Sequence, residues 1–318
     1  PTVVLPAKIH LLQGREVSLY FDNLLCDDAD DYYFDISGAT TGSQQSERYT
    51  TNPSGAVPSH TVTLNVYDKK QALLLSTQSL TVVGSASSAN TGTTKNVLMI
   101  GDSLTQDGTI TQTLLDIAAT DVMGVNLIGT RGTGANKHEG RGGWTINDYA
   151  TVGRTFYLFT VSGVTVSPQI NSTDYTNNGS TFRVQEMALS SGAGTLLCER
   201  TAGSNAPLAS GTLTKSNAGL GDATIAFSAS ATASGNPFWI GGALNFPQYL
   251  INNSLTTPNY VFIMLGTNDI FGQTTDAAAI VVADTALTTL DALITSIKAV
   301  NGSIRVVLIP PPCVSYSQ

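Results

Sequence analysis

The chain has 318 residues, enough for more than one compact unit at roughly 100 to 200 residues per domain. It carries 15 Lys and Arg against 23 Asp and Glu, a net charge of −8 with no basic cluster, which excludes a nucleic-acid partner. Apolar residues make up 42% and charged residues 12%, with 30 glycines among many Ser, Thr and Asn, a composition that excludes a disordered chain and points to strands and turns.

Residues 1–84 read as a β-sandwich module of the immunoglobulin-like kind. Runs at Glu16 to Phe21, Tyr32 to Ile36, Thr61 to Asp68 and Leu73 to Val83 alternate with period two, and Val62, Leu64 and Val66 share one face. The acidic run Asp27, Asp28, Asp30 and Asp31 lacks the ligand spacing and glycine of an EF-hand calcium loop and reads as a solvated face. Tyr32 and Tyr33 either stack on sugar rings or simply alternate on a half-buried strand. Residues 85–94 hold no large apolar side chain and read as a flexible linker. The chain opens at Pro1 with no methionine and no basic-then-apolar leader, which implies a processed or truncated start. No run approaches about 18 consecutive apolar residues, so no membrane span is expected.

Residues 95–152 read as the first part of an α/β core with a parallel sheet. They hold a strand at Asn96 to Ile100, a helix to Thr120 with Ile110, Leu114, Ile117 and Ala118 at helical spacing, and a strand at Val125 to Gly129. Residues 153–245 break this rhythm. Strand-like pieces at Thr155 to Val164, Thr181 to Met187, Gly194 to Arg200 and Ala223 to Ser228, separated by turns such as Asn177-Asn178-Gly179, predict an inserted all-β module. Residues 246–318 resume the core with a strand at Tyr260 to Leu265 and a helix from Asp276 to Val300. In that helix Ile280, Ala283, Leu287, Leu290, Ile294 and Ile297 form one stripe. A strand from Ile304 to Ile309 then runs into Pro310-Pro311-Pro312, and a parallel sheet ending there lacks its closing elements. Cys26, Cys198 and Cys313 are far apart with no metal-ligand spacing, and read as buried small apolar residues.

Acyl transfer by serine needs a placed hydroxyl, donors where the oxyanion forms, and a base. Ser103, in Gly101-Asp102-Ser103, follows the apolar run Val97 to Ile100 and falls at a strand-to-helix turn. There its hydroxyl projects from the carboxyl edge of a sheet and the opening amides of the helix face developing negative charge. Gly266-Thr267-Asn268-Asp269 ends its own strand in the same way, so Asn268 shares a rim with Ser103 and its carboxamide can donate to an oxyanion. In the glycine-rich turn Glu139 to Thr145 a missing Cβ lets a backbone amide approach a ligand, and Gly143 is the candidate. This chemistry needs no metal and no organic cofactor. Asp102, adjacent to the serine, cannot sit behind a histidine and reads as stabilising the turn; Asp269 reads as holding its own turn. Trp144 either lines the substrate site or anchors packing.

Gly-Asp-Ser-Leu at 101–104, Gly-Trp-Thr at 143–145 and Gly-Thr-Asn-Asp at 266–269, in that order, resemble the first three sequence blocks of the SGNH (GDSL-type) hydrolase family. The resemblance covers about Lys95 to Ile146 and Pro258 to Pro312. It implies a flavodoxin-like three-layer α/β/α core, C-terminally incomplete here, and esterase activity with Ser103 as nucleophile. It implies Ser103 N–H, Gly143 N–H and the Asn268 side chain as the oxyanion hole. The form His-Glu-Gly-Arg-Gly-Gly-Trp-Thr at 138–145 is similar to members from gut bacteria that act on polysaccharides, which implies an acetylesterase whose partner is an acylated carbohydrate.

The family's fourth block, an Asp-x-x-His that supplies the general base, has no counterpart, the chain's histidines being His10, His60 and His138. The expectation is that a C-terminal segment carrying this block is missing from the chain or belongs to a separate polypeptide; His138 is the rival base. The other function class is a structural or glycan-binding protein, such as a phage virion component or adhesin, that keeps an SGNH core. The low charge fits an extracellular, cell-surface or periplasmic setting, or a virion for that second class.

Overall fold

The computed structural model describes residues 1–25, 28–55, 58–86, 92–121, 123–152 and 154–309. Cys26, Asp27, Cys313, much of the expected linker, Gly153 and the run Pro310-Pro311-Pro312 lie outside the described residues. The chain divides into two compact units, one of Pro1–Thr93 with Thr120–Met123, the other of Thr94–Ala119 with Gly124–Gln318.

In the first unit a four-stranded sheet runs in the order Lys8–Leu12, Leu74–Ser85, His60–Asp68 and Tyr32–Ser37. A three-stranded sheet runs Val17–Tyr20, Arg48–Thr51 and Ser43–Gln44. Alternation along His60–Asp68 buries Val62, Leu64 and Val66, which meet Leu19 and Tyr49 from the smaller sheet, because period two sends every second side chain to the same face. Lys8–Leu12 pairs in parallel with Leu74–Ser85, while the other pairings of the larger sheet are antiparallel.

The second unit is built on the strand Thr94–Gly101, whose last five residues are all buried. Along one edge it pairs in parallel with Tyr260–Met264, itself flanked by the parallel strand Arg305–Leu308. Along the other edge Gly124–Ile128 covers its first half and Asn136–Gly140 its last two residues, with Gly140 opposite Gly101. A short antiparallel strand, Arg131–Thr133, completes the sheet. Burial on both faces explains why Val97 to Ile100 form an unbroken apolar run.

The segment Thr155–Ser234 forms a closed antiparallel barrel. Its order is Thr155–Ser162, Ala193–Ala202, Ser180–Ser190, Asp174–Asn177, Gly211–Lys215 and Thr224–Ser234. Phe159, Phe182, Val184, Leu196, Cys198, Leu213 and Ile225 fill its interior, and burial holds the Cys198 thiol in its protonated form. Phe156, on the outer face of the same barrel, packs in the core that contains Leu98, Trp144 and Val261, so barrel and parallel sheet share one hydrophobic interior.

This architecture corrects the α/β expectation. Strands account for 43% of the described residues and helices for 21%, with a closed six-stranded barrel, and those residues show no flavodoxin-like three-layer α/β/α core. The physical reason lies in the connections. The strand–helix–strand rhythm occupies only two stretches of the second unit, and the helices Ser103–Gln106, Ile146–Ala150 and Thr267–Ile270 are a single turn or little more. The helix expected from Thr105 to Thr120 is two helices, Ser103–Gln106 and Thr109–Thr120, because Gly108 adopts φ +82° and the Asp107 carboxylate caps Thr109 N–H at 3.0 Å.

The long helix Asp276–Lys298 buries Ala286, Leu290, Leu293 and Ile297, while Ile280 and Leu287 of the expected stripe are exposed. Its sequence is apolar nearly all round, so periodicity alone leaves the buried face undefined. Among the described residues it is also the one helix that meets the length and composition of a membrane-crossing segment.

Candidate active site

Ser103 is the first residue of its short helix and is exposed. The preceding Asp102 is buried and caps that helix, accepting Leu104 N–H at 3.0 Å. As a first-turn residue, Ser103 has no carbonyl one turn back for its own N–H.

The parallel partner strand ends in register, Met264 opposite Gly101, and Gly266 turns the chain at φ +120° into Thr267–Ile270. That turn puts Asn268 between the other two segments. Its Nδ2 donates to Trp144 O at 3.0 Å and, over a long 3.4 Å, to Asp102 Oδ2. Both amide hydrogens are therefore engaged with the protein, the second weakly. The neighbouring Asp269 accepts Ile146 N–H on both oxygens at 3.1 Å and so caps a different segment from its own turn. Burial raises its pKa above the ordinary carboxylate value, and Asp148 and Asp102 nearby push in the same direction.

The third segment is a tight turn from Arg141 to Trp144. It is closed by Trp144 N–H to Arg141 O at 3.2 Å, with Gly143 in its third position at φ +72°, the geometry of a type II turn. Gly142 N–H donates to the side-chain oxygen of Gln106, in the same helical turn as Ser103, and Arg154 donates to Gly143 O. Gly143 N–H has no partner among the described residues. Trp144 is 1% exposed, tilted against Tyr149 and edge-on to Phe156 with the Arg141 guanidinium 5.0 Å from its ring, the surroundings of a packing anchor.

Ser103, Gly143 and Asn268 thus stand on three segments that are tied to one another side chain by side chain. Glycines allow the closeness: a Cβ on Gly101 would meet Thr105 Oγ1 at 2.0 Å, and one on Gly140 would meet Gln106 N at 2.3 Å.

Beneath the site lies a network that the sequence did not announce. The fully buried Glu139 carboxylate accepts Thr130 N–H and hydroxyl, both at 2.6 Å, and Tyr249 OH at 2.7 Å, and pairs with Arg141 at 3.3 Å. The barrel supplies the outer partners. Glu186 receives Arg141 at 2.9 Å and also Arg131, while Glu199 receives Arg154 at 3.0 Å and Gln185 at 2.9 Å. Burial pushes the Tyr149 and Tyr249 hydroxyls far above the usual tyrosine value, so both act as neutral donors. The one advance signal was Glu139 and Arg141 flanking Gly140 at the start of a glycine-rich turn.

His138 is buried in the strand Asn136–Gly140, and its Nδ1 accepts Gly140 N–H at 3.0 Å. A backbone N–H can only donate, so Nδ1 carries a lone pair and the ring proton sits on Nε2. Burial lowers its pKa, in accord with a neutral ring. No hydrogen bond joins it to Ser103. His10 and His60 belong to the first unit, where His60 Nδ1 lies 2.9 Å from Pro58 O. Among the described residues no group of three or more His, Cys, Asp or Glu side chains is placed to hold a metal ion.

No family model matches the chain, and no curated protein matches it. One solved structure with some similarity is described as Bacteroides ovatus mixed-linkage glucan utilization locus (MLGUL) SGBP-B in complex with mixed-linkage heptasaccharide. The match has 10% identity and a TM-score of 0.19, covering 73% of this chain and 44% of the other. The chain therefore spans less than half the length of that protein, and a likeness of this size establishes neither fold nor function.

Proposed function

We propose that this protein is a serine carboxylester hydrolase of the SGNH type that removes acetyl groups from a polysaccharide. The observation that carries the reading is the Asn268 side chain, which bridges Asp102, next to Ser103, and Trp144, next to Gly143. In this reading Ser103 Oγ attacks the ester carbonyl carbon, and the carbonyl electron pair moves onto oxygen. Ser103 N–H and Gly143 N–H face that oxygen, and Asn268 joins them by giving up its long bond to Asp102. Collapse of the tetrahedral species expels the sugar alcohol, and water then releases acetate from the acyl-enzyme. The serine proton requires a base. His138 is committed to Gly140, so the reading includes a base from outside this chain, in a further segment or a partner bearing an Asp-x-x-His. An extracellular or cell-surface setting belongs to the same proposal.

The test is acetate release from acetylated xylan and acetylated pectin by the protein as its host makes it. Release that falls at least about a hundredfold in Ser103→Ala and in Asn268→Ala supports the reading. Equal release by Ser103→Ala, or none by the wild type, contradicts it. The engagement of His138 favours a second reading, a structural or glycan-binding protein of the virion or adhesin kind. Glycan retention that survives Ser103→Ala, with no acetate release by the wild type, would select it.

A further inference from the structure

A cavity of about 730 Å³ lies in the first unit, within the roughly 300–1,000 Å³ typical of small-molecule sites. Its floor is Phe21 stacked on Phe34, ring centroids 4.3 Å apart and 11° from parallel. Phe34 belongs to Tyr32–Ser37, the edge strand of the larger sheet, and Gln44 clamps that edge by donating to Phe34 O at 2.6 Å and accepting Ile36 N–H at 2.8 Å. The wall is therefore built before any ligand arrives.

Tyr33 lines the same cavity and leaves 54% of its surface exposed, because alternation along Tyr32–Ser37 sends it to the face opposite Phe34. Asp22, Asp30 and Glu47 line the same cavity, and their carboxylates have no ion-pair or hydrogen-bond partner among the described residues. Lys69 is the one cation among the described residues that line the cavity. It is held by Asp30 O at 2.9 Å, with its ammonium 5.7 Å from the Tyr33 ring centroid.

These features narrow the ligand by elimination. Three unpaired carboxylates repel an anion. The Lys69 ammonium already faces the Tyr33 ring and repels an organic cation at that ring. A bare metal ion lacks a convergent ligand group among the described residues. An apolar ligand would strip water from the carboxylates without replacing it. A neutral polyhydroxylated ligand answers each condition, since its hydroxyls donate to carboxylate oxygens and its C–H face lies on an aromatic ring. We infer that this cavity is a binding site for a neutral saccharide, with Tyr33 as the stacking platform and Asp22, Asp30 and Glu47 as hydroxyl acceptors.

The inference stands apart from the hydrolase reading, because it uses only residues of the first unit. The test is an array of neutral and charged oligosaccharides, followed by calorimetric titration of the neutral glycans retained. The expected result is retention of at least one neutral glycan, with Ser103→Ala retaining it as the wild type does. Tyr33→Ala weakens it by roughly tenfold or more, as does Asp30→Asn combined with Glu47→Gln. Tyr33 is exposed, so its substitution leaves the fold intact. Retention of charged glycans only, of none, or of neutral glycans equally by Tyr33→Ala overturns the inference. No acetate release by the wild type, with its glycan retention intact, strikes the hydrolase reading and leaves this one standing.

Discussion

Gly143 and His138 show how much of the chemistry rests on single residues. A Cβ at Gly143 meets nothing closer than an Arg154 nitrogen at 4.0 Å, so Gly143→Ala pays no steric cost. Its cost is the left-handed φ of +72°, roughly 1–2 kcal/mol by denaturant titration, and relaxation of that strain turns the free N–H away from the rim. His138 makes the second prediction. Its folded pKa lies below the unfolded value of 6.5, so its contribution to stability is complete above that pH and is lost as pH falls through the folded pKa. Urea titration at pH 7.5 and 5.0 should show this loss, and His138→Gln should reduce it; an identical loss in the variant would remove His138 as its cause. Ser103, Gly143 and Asn268 were legible because each follows a strand end in a short, distinctive tripeptide. Glu139 and its partners were not, since a buried carboxylate looks like a surface one until its donors are known. Glu139→Ala leaves Tyr249 and Thr130 without their acceptor, takes from Arg141 one of its two carboxylates, and is expected to cost about 3–5 kcal/mol, against near-neutral behaviour were Glu139 a surface residue.

At the scale of elements, the buried strand Thr94–Gly101 and the strand Tyr260–Met264 were readable because four or five apolar residues in a row have one structural use. The strand Asn136–Gly140 was hidden. Its Asn-Lys-His-Glu-Gly sequence has no β pattern, and it is held by pairing to Gly101 and by the Tyr149 hydroxyl, which donates to Glu139 O and lies 2.9 Å from Gly101 O of the neighbouring strand. In the barrel, Asp174–Asn177 and Gly211–Lys215 escaped notice because short strands of Thr, Asn and Gly differ little from loops. The loop before them is pinned by Asp222, which accepts Thr165 N–H at 2.7 Å, the Thr165 hydroxyl at 2.6 Å and Val166 N–H. Those bonds lower the Asp222 pKa below its usual 3.8, so the pinning is complete above that pH and is lost as pH falls through the lowered value. Amide exchange, corrected for intrinsic rates, should find Thr165 and Val166 losing protection in acid before the barrel strands do. Simultaneous loss throughout the barrel would contradict this.

For the molecule as a whole, the barrel Thr155–Ser234 and the parallel sheet belong to the same compact unit. The barrel looks like an insertion because its composition differs from its flanks, yet Phe156 packs with Trp144, and Glu186 and Glu199 hold Arg141 and Arg154. Shared burial of this kind makes barrel and sheet one cooperative unit. Calorimetry on Glu199→Gln should therefore show sheet and barrel still melting together at a lower temperature, whereas separate transitions for the two would contradict a common core. The same brace explains what the barrel does for the proposed chemistry, since Arg154, held by Glu199, fixes the carbonyl of Gly143.

Reaction of the host-made protein with a fluorophosphonate, followed by peptide mass analysis, interrogates the hydroxyl of Ser103 itself. One adduct per chain on Ser103, abolished in Ser103→Ala and slowed in Asn268→Ala, is the outcome expected of an activated serine facing an oxyanion hole. An unmodified Ser103 under conditions that label a known serine esterase would contradict it.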